Sequence, residues 1–129
     1  MKKQIKKGEK NMAVPYLGNS KNTIEVLQKY DFVFQKKFGQ NFLIDSHVLD
    51  KIVSAAGITK DDFVLEIGPG IGTMTQYLAA SARKVFAVEI DKALIPILED
   101  TLKEFDNVQV INQDILKVDI KKLAEEHND

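Results

Sequence analysis

The sequence contains no cysteine, and its two histidines, His47 and His127, stand far apart in the chain. Without cysteine there can be neither a disulfide framework nor a thiolate metal site, and two isolated histidines do not suggest a metal-binding pair. No Ser/His or Cys/His arrangement typical of a covalent nucleophile stands out. We therefore expect no metal and no covalent catalysis by a side chain.

Long apolar runs are also missing, so the sequence shows no segment able to cross a membrane. The lysine-rich start lacks the apolar h-region of a secretory signal peptide. The chain has 129 residues, of which 44% are apolar and 29% charged, as in an ordinary single globular domain. We expect a cytoplasmic protein with no membrane partner.

The net charge of −1 hides an uneven distribution of charge along the chain. Residues 1–40 hold nine lysines and three acidic residues, a net charge of +6, whereas residues 41–129 hold nine basic and sixteen acidic residues, a net charge of −7. A basic arm suggests phosphate contact, but the lysine-rich opening equally fits a solvated, disordered tail. We expect a basic, flexible extension over residues 1–22, and Lys36 and Lys37 are the better candidates for phosphate contact.

A glycine-rich segment carries the main functional signal. Residues 66–72 read Glu-Ile-Gly-Pro-Gly-Ile-Gly and directly follow the apolar run 63–65. A strand, a glycine turn and a helix together suit a nucleotide-like cofactor, because glycine lets the backbone approach the ligand and the helix presents free N–H groups. The dinucleotide pattern Gly-x-Gly-x-x-Gly fails in both registers, since Thr73 and Thr75 occupy the third glycine position. The pattern Glu-x-Gly-x-Gly-x-Gly instead resembles motif I of the S-adenosylmethionine-dependent methyltransferases.

An acidic residue also ends the second predicted strand. Residues 84–88 are β-branched and aromatic, which predicts a buried strand, and Glu89 follows it. Ligands of open α/β sheets bind beyond the carboxyl ends of the strands, so Glu89 is placed to accept hydrogen bonds from a ribose. Glu89 could instead start the next helix, but Asp91 suits that capping role better.

The third predicted strand, residues 108–111, is followed by Asp114. Asp114 could accept a hydrogen bond from an adenine amino group, while Ile90 and Ile115 could lie on either side of the base. In isolation Asp114 would be interpreted as a turn residue before Leu116. Three acidic strand ends in order favour the cofactor interpretation.

The predicted fold is an α/β, Rossmann-like methyltransferase fold of which about the first three parallel strands and their helices are present. Pro96 in the third connecting helix predicts a late start or a kink. The predicted strands are 63–67, 84–88 and 108–111, and the predicted helices are 46–56, 72–80, 91–104 and 120–126.

A second motif narrows the family. Residues 35–45 read Gln-Lys-Lys-Phe-Gly-Gln-Asn-Phe-Leu-Ile-Asp. This segment is similar to the Lys-Phe-Gly-Gln-Asn-Phe-Leu motif of the ribosomal RNA adenine N6-dimethyltransferases, above all the bacterial members that dimethylate two adjacent adenines near the 3′ end of small-subunit ribosomal RNA. The resemblance covers roughly residues 28–120. It implies S-adenosylmethionine as the cofactor and small-subunit ribosomal RNA, or the small ribosomal subunit, as the partner.

The resemblance also implies roles for individual residues. Cofactor contacts are implied at Asn41 and Leu43, at Gly68 beside the methionine and ribose, at Glu89 on the ribose hydroxyls and at Asp114 on the adenine. Lys36 and Lys37 become candidates for RNA contact. Further cofactor contacts are expected at Gln40, Glu66, Gly70, Ile90 and Ile115.

The Asn-Leu-Pro-Tyr segment that holds the target adenine in this family does not occur in the sequence. We therefore expect residues 23–129 to be the N-terminal part of a methyltransferase domain that carries the cofactor half of the site, holds no catalytic residue and does not methylate by itself. In the family's sheet order the first strand would pair with a fourth one, so the free edge of strand 63–67 is expected to promote self-association.

Three alternatives remain open from the sequence. The chain could belong to an RNA-binding assembly factor that keeps the methyltransferase fold without catalysis. It could belong to an enzyme that methylates large-subunit ribosomal RNA, since the macrolide-resistance methyltransferases share the same layout. It could belong to a small-molecule methyltransferase, since these enzymes share motif I. The segment 38–43 argues against this third alternative.

Overall fold

The computed structural model of the chain describes residues 16–30 and 46–127. These residues form a three-stranded parallel sheet, five α-helices and three short 3-10 helices. The α-helices are α1 (Ser20–Lys29), α2 (Ser46–Ala56), α3 (Thr73–Ser81), α4 (Ile95–Thr101) and α5 (Ile120–His127), the strands are β1 (Phe63–Ile67), β2 (Lys84–Glu89) and β3 (Val108–Asn112), and the 3-10 helices are Tyr16–Gly18, Lys92–Leu94 and Ile115–Lys117.

The sheet has the strand order β1-β2-β3, with all pairs parallel. Strand β2 lies in the centre, and its residues Val85–Val88 are buried, as expected for a strand covered on both faces. Strand β1 pairs with β2 along one side, and the described residues provide no strand on its other side. Because parallel strands end at the same edge, Ile67, Glu89 and Asn112 bring the glycine segment and the polar strand ends to one edge of the sheet.

The apolar core lies between the sheet and the helices. Leu78 of α3 and Leu98 of α4 are buried with Val85 of β2 in one cluster. Burial of a leucine of this kind stabilises the fold by roughly 1.5–3 kcal/mol relative to exposure. Ile71 of the glycine segment belongs to the same cluster, with 1% of its surface exposed, so the segment is anchored in the core rather than lying on the surface.

The secondary structure confirms the predicted strands, with β2 and β3 each one residue longer than expected. The predicted helix 91–104 is wrong in extent: a 3-10 turn over Lys92–Leu94 precedes α4, which ends at Thr101. Pro96 lies in the first turn of α4, where its missing N–H costs nothing, which confirms the late start.

Helix α1 was not expected from the sequence. Its first residue, Ser20, falls within the predicted extension 1–22, and Leu17 just before it has only 1% of its surface exposed. The described part of that extension, residues 16–22, therefore packs against the domain. The division between residues 22 and 23 stays a prediction, because residues 1–15 lie outside the described part of the chain.

Candidate functional site

The glycine segment leaves β1 and turns sharply at Gly68. Gly68 has φ +71°, a left-handed conformation that L side chains rarely adopt. Its N–H donates to the carbonyl of Val88 at 2.8 Å, which extends the β1–β2 ladder by one bond. A Cβ at this position would meet no atom within 4 Å. The backbone at Gly68 therefore borders open space into which a ligand could fit.

At the other end of the segment, Gly72 is the N-cap of α3 and has φ +97°. A Cβ here would lie 2.9 Å from Thr101 Oγ1 and 3.3 Å from a methyl group of Leu98. Glycine is therefore required twice over, by the backbone conformation and by the close approach of α4. Gly72 makes no side-chain hydrogen bond that caps α3.

Glu89 joins the glycine segment to the end of β2. The residue has only 4% of its surface exposed. Its Oε1 accepts a hydrogen bond from the N–H of Gly70 at 3.1 Å, and its Oε2 accepts one from the N–H of Asp91 at 2.9 Å. Burial raises the pKa of Glu89, while these backbone donors oppose the rise. The backbone N–H of Ile90 is a third donor to this carboxylate. An ionised carboxylate has about four acceptor sites, so Glu89 keeps capacity for about one further donor.

Glu66 supplies a second carboxyl group at the end of β1. It accepts a short hydrogen bond from the hydroxyl of Thr75, in the first turn of α3. Burial raises the pKa of Glu66 to about 7; the Thr75 hydrogen bond opposes this rise and the nearby Glu89 carboxylate adds to it. Two carboxyl groups that repel each other at one edge make a site suited to a positively charged ligand.

Asp114 caps the 3-10 helix that follows β3. Its Oδ1 accepts from the N–H of Leu116 at 3.0 Å, so the turn role considered from the sequence is present. One carboxylate oxygen is engaged in this way, and acceptor capacity remains on the group. Ile90 is half exposed and Ile115 is partly buried. Asp91 caps the Lys92–Leu94 turn through the N–H of Ala93, which confirms the role predicted for it.

Three residues of the site were not predicted from the sequence. Asn112 Nδ2 donates to the carbonyl of Glu89 at 2.8 Å, and the N–H of Gln113 donates to the same carbonyl at 3.1 Å. Together they fix the end of β2 that carries Glu89. The sequence feature that could have indicated Asn112 and Gln113 is the change from apolar to polar residues after Ile111. Thr75 was also missed, because a threonine inside a helix gives no sign of a carboxylate partner.

The structure thus brings four predicted residues together at one edge of the sheet: Gly68, Gly70, Glu66 and Glu89. Asp114 follows Asn112, which bonds to the carbonyl of Glu89, by two positions in the sequence. The remaining predicted contacts lie outside the described residues; they are Lys36, Lys37, Gln40, Asn41 and Leu43. Within residues 16–30 and 46–127, no three acidic or histidine side chains are grouped so as to hold a metal ion. No helix in those ranges has the length and apolarity needed to span a membrane.

Comparison with known proteins identifies the family. The family model "Ribosomal RNA adenine dimethylase" matches residues 31–129. The chain is 71% identical over 114 residues to the ribosomal RNA small subunit methyltransferase A of Lachnoclostridium phytofermentans, an alignment that covers 88% of this chain and 39% of that relative. The chain thus spans well under half the length of the curated relative it matches.

Solved structures show the same relationship. The crystal structure of the 23S rRNA methyltransferase ErmE is 40% identical, with a TM-score of 0.57, and the match covers 60% of this chain and 32% of that one. A dimethyladenosine transferase from Plasmodium falciparum is 36% identical, with a TM-score of 0.52 and coverage of 56% and 27%. The α/β fold is therefore that of the S-adenosylmethionine-dependent methyltransferases, and the chain belongs to the ribosomal RNA adenine dimethylase family.

Proposed function

We propose that this edge of the sheet binds S-adenosylmethionine and that it serves the N6-dimethylation of two adjacent adenines near the 3′ end of small-subunit ribosomal RNA by the full-length protein. The family and its structural relatives indicate that cofactor. The single observation that carries the assignment of the site is Glu89, a buried carboxylate with spare acceptor capacity that is hydrogen-bonded to the glycine segment.

The residues fit the cofactor at three points. Glu89 would accept a hydrogen bond from the ribose hydroxyls, worth about 1.5–3 kcal/mol for a charged acceptor. The open space beside Gly68 would admit the ribose and methionine, because no Cβ projects there. Asp114 would accept from the adenine amino group, with Ile90 and Ile115 on either side of the ring.

The cofactor, when bound, supplies a methyl group on a positively charged sulfur. Glu66, Gly70 and Glu89 surround this region with acceptors and a fixed backbone, which orients the cofactor without a covalent bond to the protein. Methyl transfer of this kind needs positioning rather than a nucleophilic side chain. Asn41, Leu43 and Gln40 are proposed as additional contacts on the basis of the family motif.

The test is calorimetric titration of the chain with S-adenosylmethionine, using Glu89→Gln as the variant. The amide nitrogen cannot accept from a backbone N–H or a ribose hydroxyl, so we expect affinity to fall at least about tenfold, equivalent to about 1.4 kcal/mol. The matched control is Glu125→Gln, an exposed glutamate on α5, which should bind like the wild type. Equal affinity in both variants would contradict the assignment.

The RNA target is proposed from the relatives. A 71% identity to a small-subunit enzyme favours the small subunit, whereas the ErmE match at 40% keeps large-subunit RNA as the second candidate. Incubation of the full-length protein with labelled cofactor and either purified ribosomal subunit separates the two. Labelling of neither subunit, with cofactor binding intact, would instead favour a non-catalytic assembly factor.

A further inference from the structure

Two buried polar side chains lie behind the glycine segment. Gln76 of α3 and Thr101 of α4 have 1% and 2% of their surface exposed. Buried polar groups are costly unless every donor and acceptor finds a partner. Each polar side-chain atom of the two residues has a hydrogen-bond partner, and these bonds form one continuous series.

This series of hydrogen bonds begins upstream of the sheet. The backbone N–H of Leu17 donates to Gln76 Oε1 at 3.0 Å, and Gln76 Nε2 donates to the carbonyl of Thr101 at 2.8 Å. The Thr101 hydroxyl then donates to the carbonyl of Ile71 at 2.7 Å. Ile71 stands between Gly70 and Gly72, so the series ends on the segment that we assign to the cofactor.

Packing at Gly72 leaves little freedom at this end. Thr101 Oγ1 would lie only 2.9 Å from a Cβ at Gly72, so the hydroxyl fills the space against the turn as well as bonding to it. A shift of Thr101 would move the carbonyl of Ile71. Gly70, the next residue back, donates its N–H to Glu89. Displacement of the peptide at Ile71 would therefore disturb the hydrogen bond from Gly70 to Glu89, the proposed ribose acceptor.

Residues 16–30 hold the other side of α4. Lys29 and Tyr30 both hydrogen-bond to the carboxylate of Asp100, which directly precedes Thr101. The hydroxyl of Thr23 donates to the carbonyl of Leu17 at 3.1 Å and so fixes the start of the series. The last turn of α4 thus lies between α1 and the glycine segment, with one residue facing each. This part of the chain precedes residue 31, where the family model begins to match.

We propose that Gln76 and Thr101 are positioning residues for the cofactor segment, and that residues 16–30 contribute to the geometry of the cofactor site through them. The inference rests on the proposed function, because it assigns a role toward the same ligand. This role differs from a purely structural one in its consequence. Breaking this series of hydrogen bonds should weaken cofactor binding in protein that is still folded.

The main test compares Thr101→Val with Thr101→Ser. Valine keeps the shape but removes the hydroxyl, whereas serine keeps the hydroxyl. In calorimetric titration with S-adenosylmethionine, at a temperature where thermal melts show all variants folded, Thr101→Val should bind at least about fivefold more weakly. Thr101→Ser should bind within about twofold of the wild type.

The matched control is Asn107→Ala at the opposite edge of the sheet. Asn107 is partly buried and donates to the carbonyls of Ala79 and Ala82, so its removal also costs hydrogen bonds but not in the glycine segment. It should lower the melting temperature with unchanged affinity. Gln76→Met combined with Thr101→Val should weaken binding by less than the product of the two single effects, because both break the same series of hydrogen bonds.

A measurement on the wild type covers the case in which Thr101→Val does not fold. Because coupling between two sites is reciprocal, a cofactor positioned through this series of hydrogen bonds should slow hydrogen exchange at the other end of the series. Saturating cofactor should therefore slow hydrogen exchange at the Leu17 amide more than at the Ala82 amide, which bonds within the far end of α3. Equal protection, or a folded Thr101→Val with wild-type affinity, would overturn the inference while leaving cofactor binding intact. A wild-type chain without saturable binding would overturn the proposed function, and the inference with it.

Discussion

The Oε1 atom of Glu89 lies 3.1 Å from the backbone nitrogen of Gly70 and accepts its hydrogen bond. The acidic end of β2 and the glycine segment after β1 are therefore one structural unit rather than two neighbouring motifs. A change in either is expected to alter the other.

Gly68→Ala should weaken cofactor binding beyond its effect on stability. Alanine at φ +71° is strained by roughly 1–2 kcal/mol, and its methyl group would enter the open space that we assign to the ribose and methionine. Gly57→Ala is the matched control, because Gly57 also has a positive φ, 64°, and no atom within 4 Å of its Cβ position. Melts should show similar destabilisation, and titration should show an affinity loss for Gly68→Ala alone. A similar affinity in both variants would place the cofactor elsewhere.

Glu66→Gln should stabilise the protein increasingly as the pH rises from 5 to 8. The pKa of Glu66 is raised from 4.5 in the unfolded chain to about 7 in the folded one. Between these values the folded state binds more protons, so the stability of the wild type falls as the pH rises. Glutamine does not ionise and still accepts from Thr75, and the variant should gain up to about 3 kcal/mol at pH 8. Urea denaturation at several pH values measures this gain, and a pH-independent difference would contradict it.

Cofactor binding should release protons at pH values below about 7, the pKa of Glu66 in the free protein. A positively charged ligand favours the ionised form of Glu66 and lowers its pKa again. Affinity should therefore rise from pH 6 to pH 8, by at most about tenfold per pH unit. Calorimetry in buffers of different ionisation enthalpy counts the protons released, up to one per site. In Glu66→Gln this release should be lost, and an unchanged release would assign it to another group.

The free edge of β1 should cause the 129-residue chain to self-associate. The described residues provide no strand beyond β1, and Ile67 at its end has 61% of its surface exposed. Backbone groups that no described strand pairs, beside an exposed apolar side chain, favour pairing with a second copy. Sedimentation should show dimers or larger species that increase with concentration. Ile67→Lys should reduce association, whereas Leu116→Lys, at a residue that is 89% exposed but off the edge, should not. A monodisperse monomer that unfolds cooperatively would refute the proposal.

Lys36 and Lys37 are proposed to contact RNA phosphates. The double variant Lys36→Gln/Lys37→Gln should bind ribosomal RNA more weakly at low salt, and the slope of log affinity against log salt should become shallower by up to about 2. Lys121→Gln/Lys122→Gln on α5 removes the same charge from an exposed helix and is the control. Equal losses in both pairs would indicate a general charge effect rather than contact at the motif.

The sequence alone determined the parts of this protein that depend on local patterns. Apolar runs of β-branched residues predicted the three strands, and the glycine spacing predicted the turn at Gly68 and Gly72. Acidic residues at strand ends predicted the placement of Glu89, because parallel strands end at one edge of the sheet. The family could be inferred for the same reason, since its two motifs are continuous in the chain.

Only the tertiary structure decided which groups meet across the chain. The polar sequence of α1 gives no indication of its buried contacts. The N–H of Leu17 bonds to Gln76 only because this segment packs against α3. The pKa of Glu66 depends on burial and on Glu89, and neither is visible in the residues around it. Hydrogen bonds such as that from Thr101 to Ile71 join residues 30 positions apart. Local propensity carries no information about such pairs, because they form only when the helices pack against the sheet.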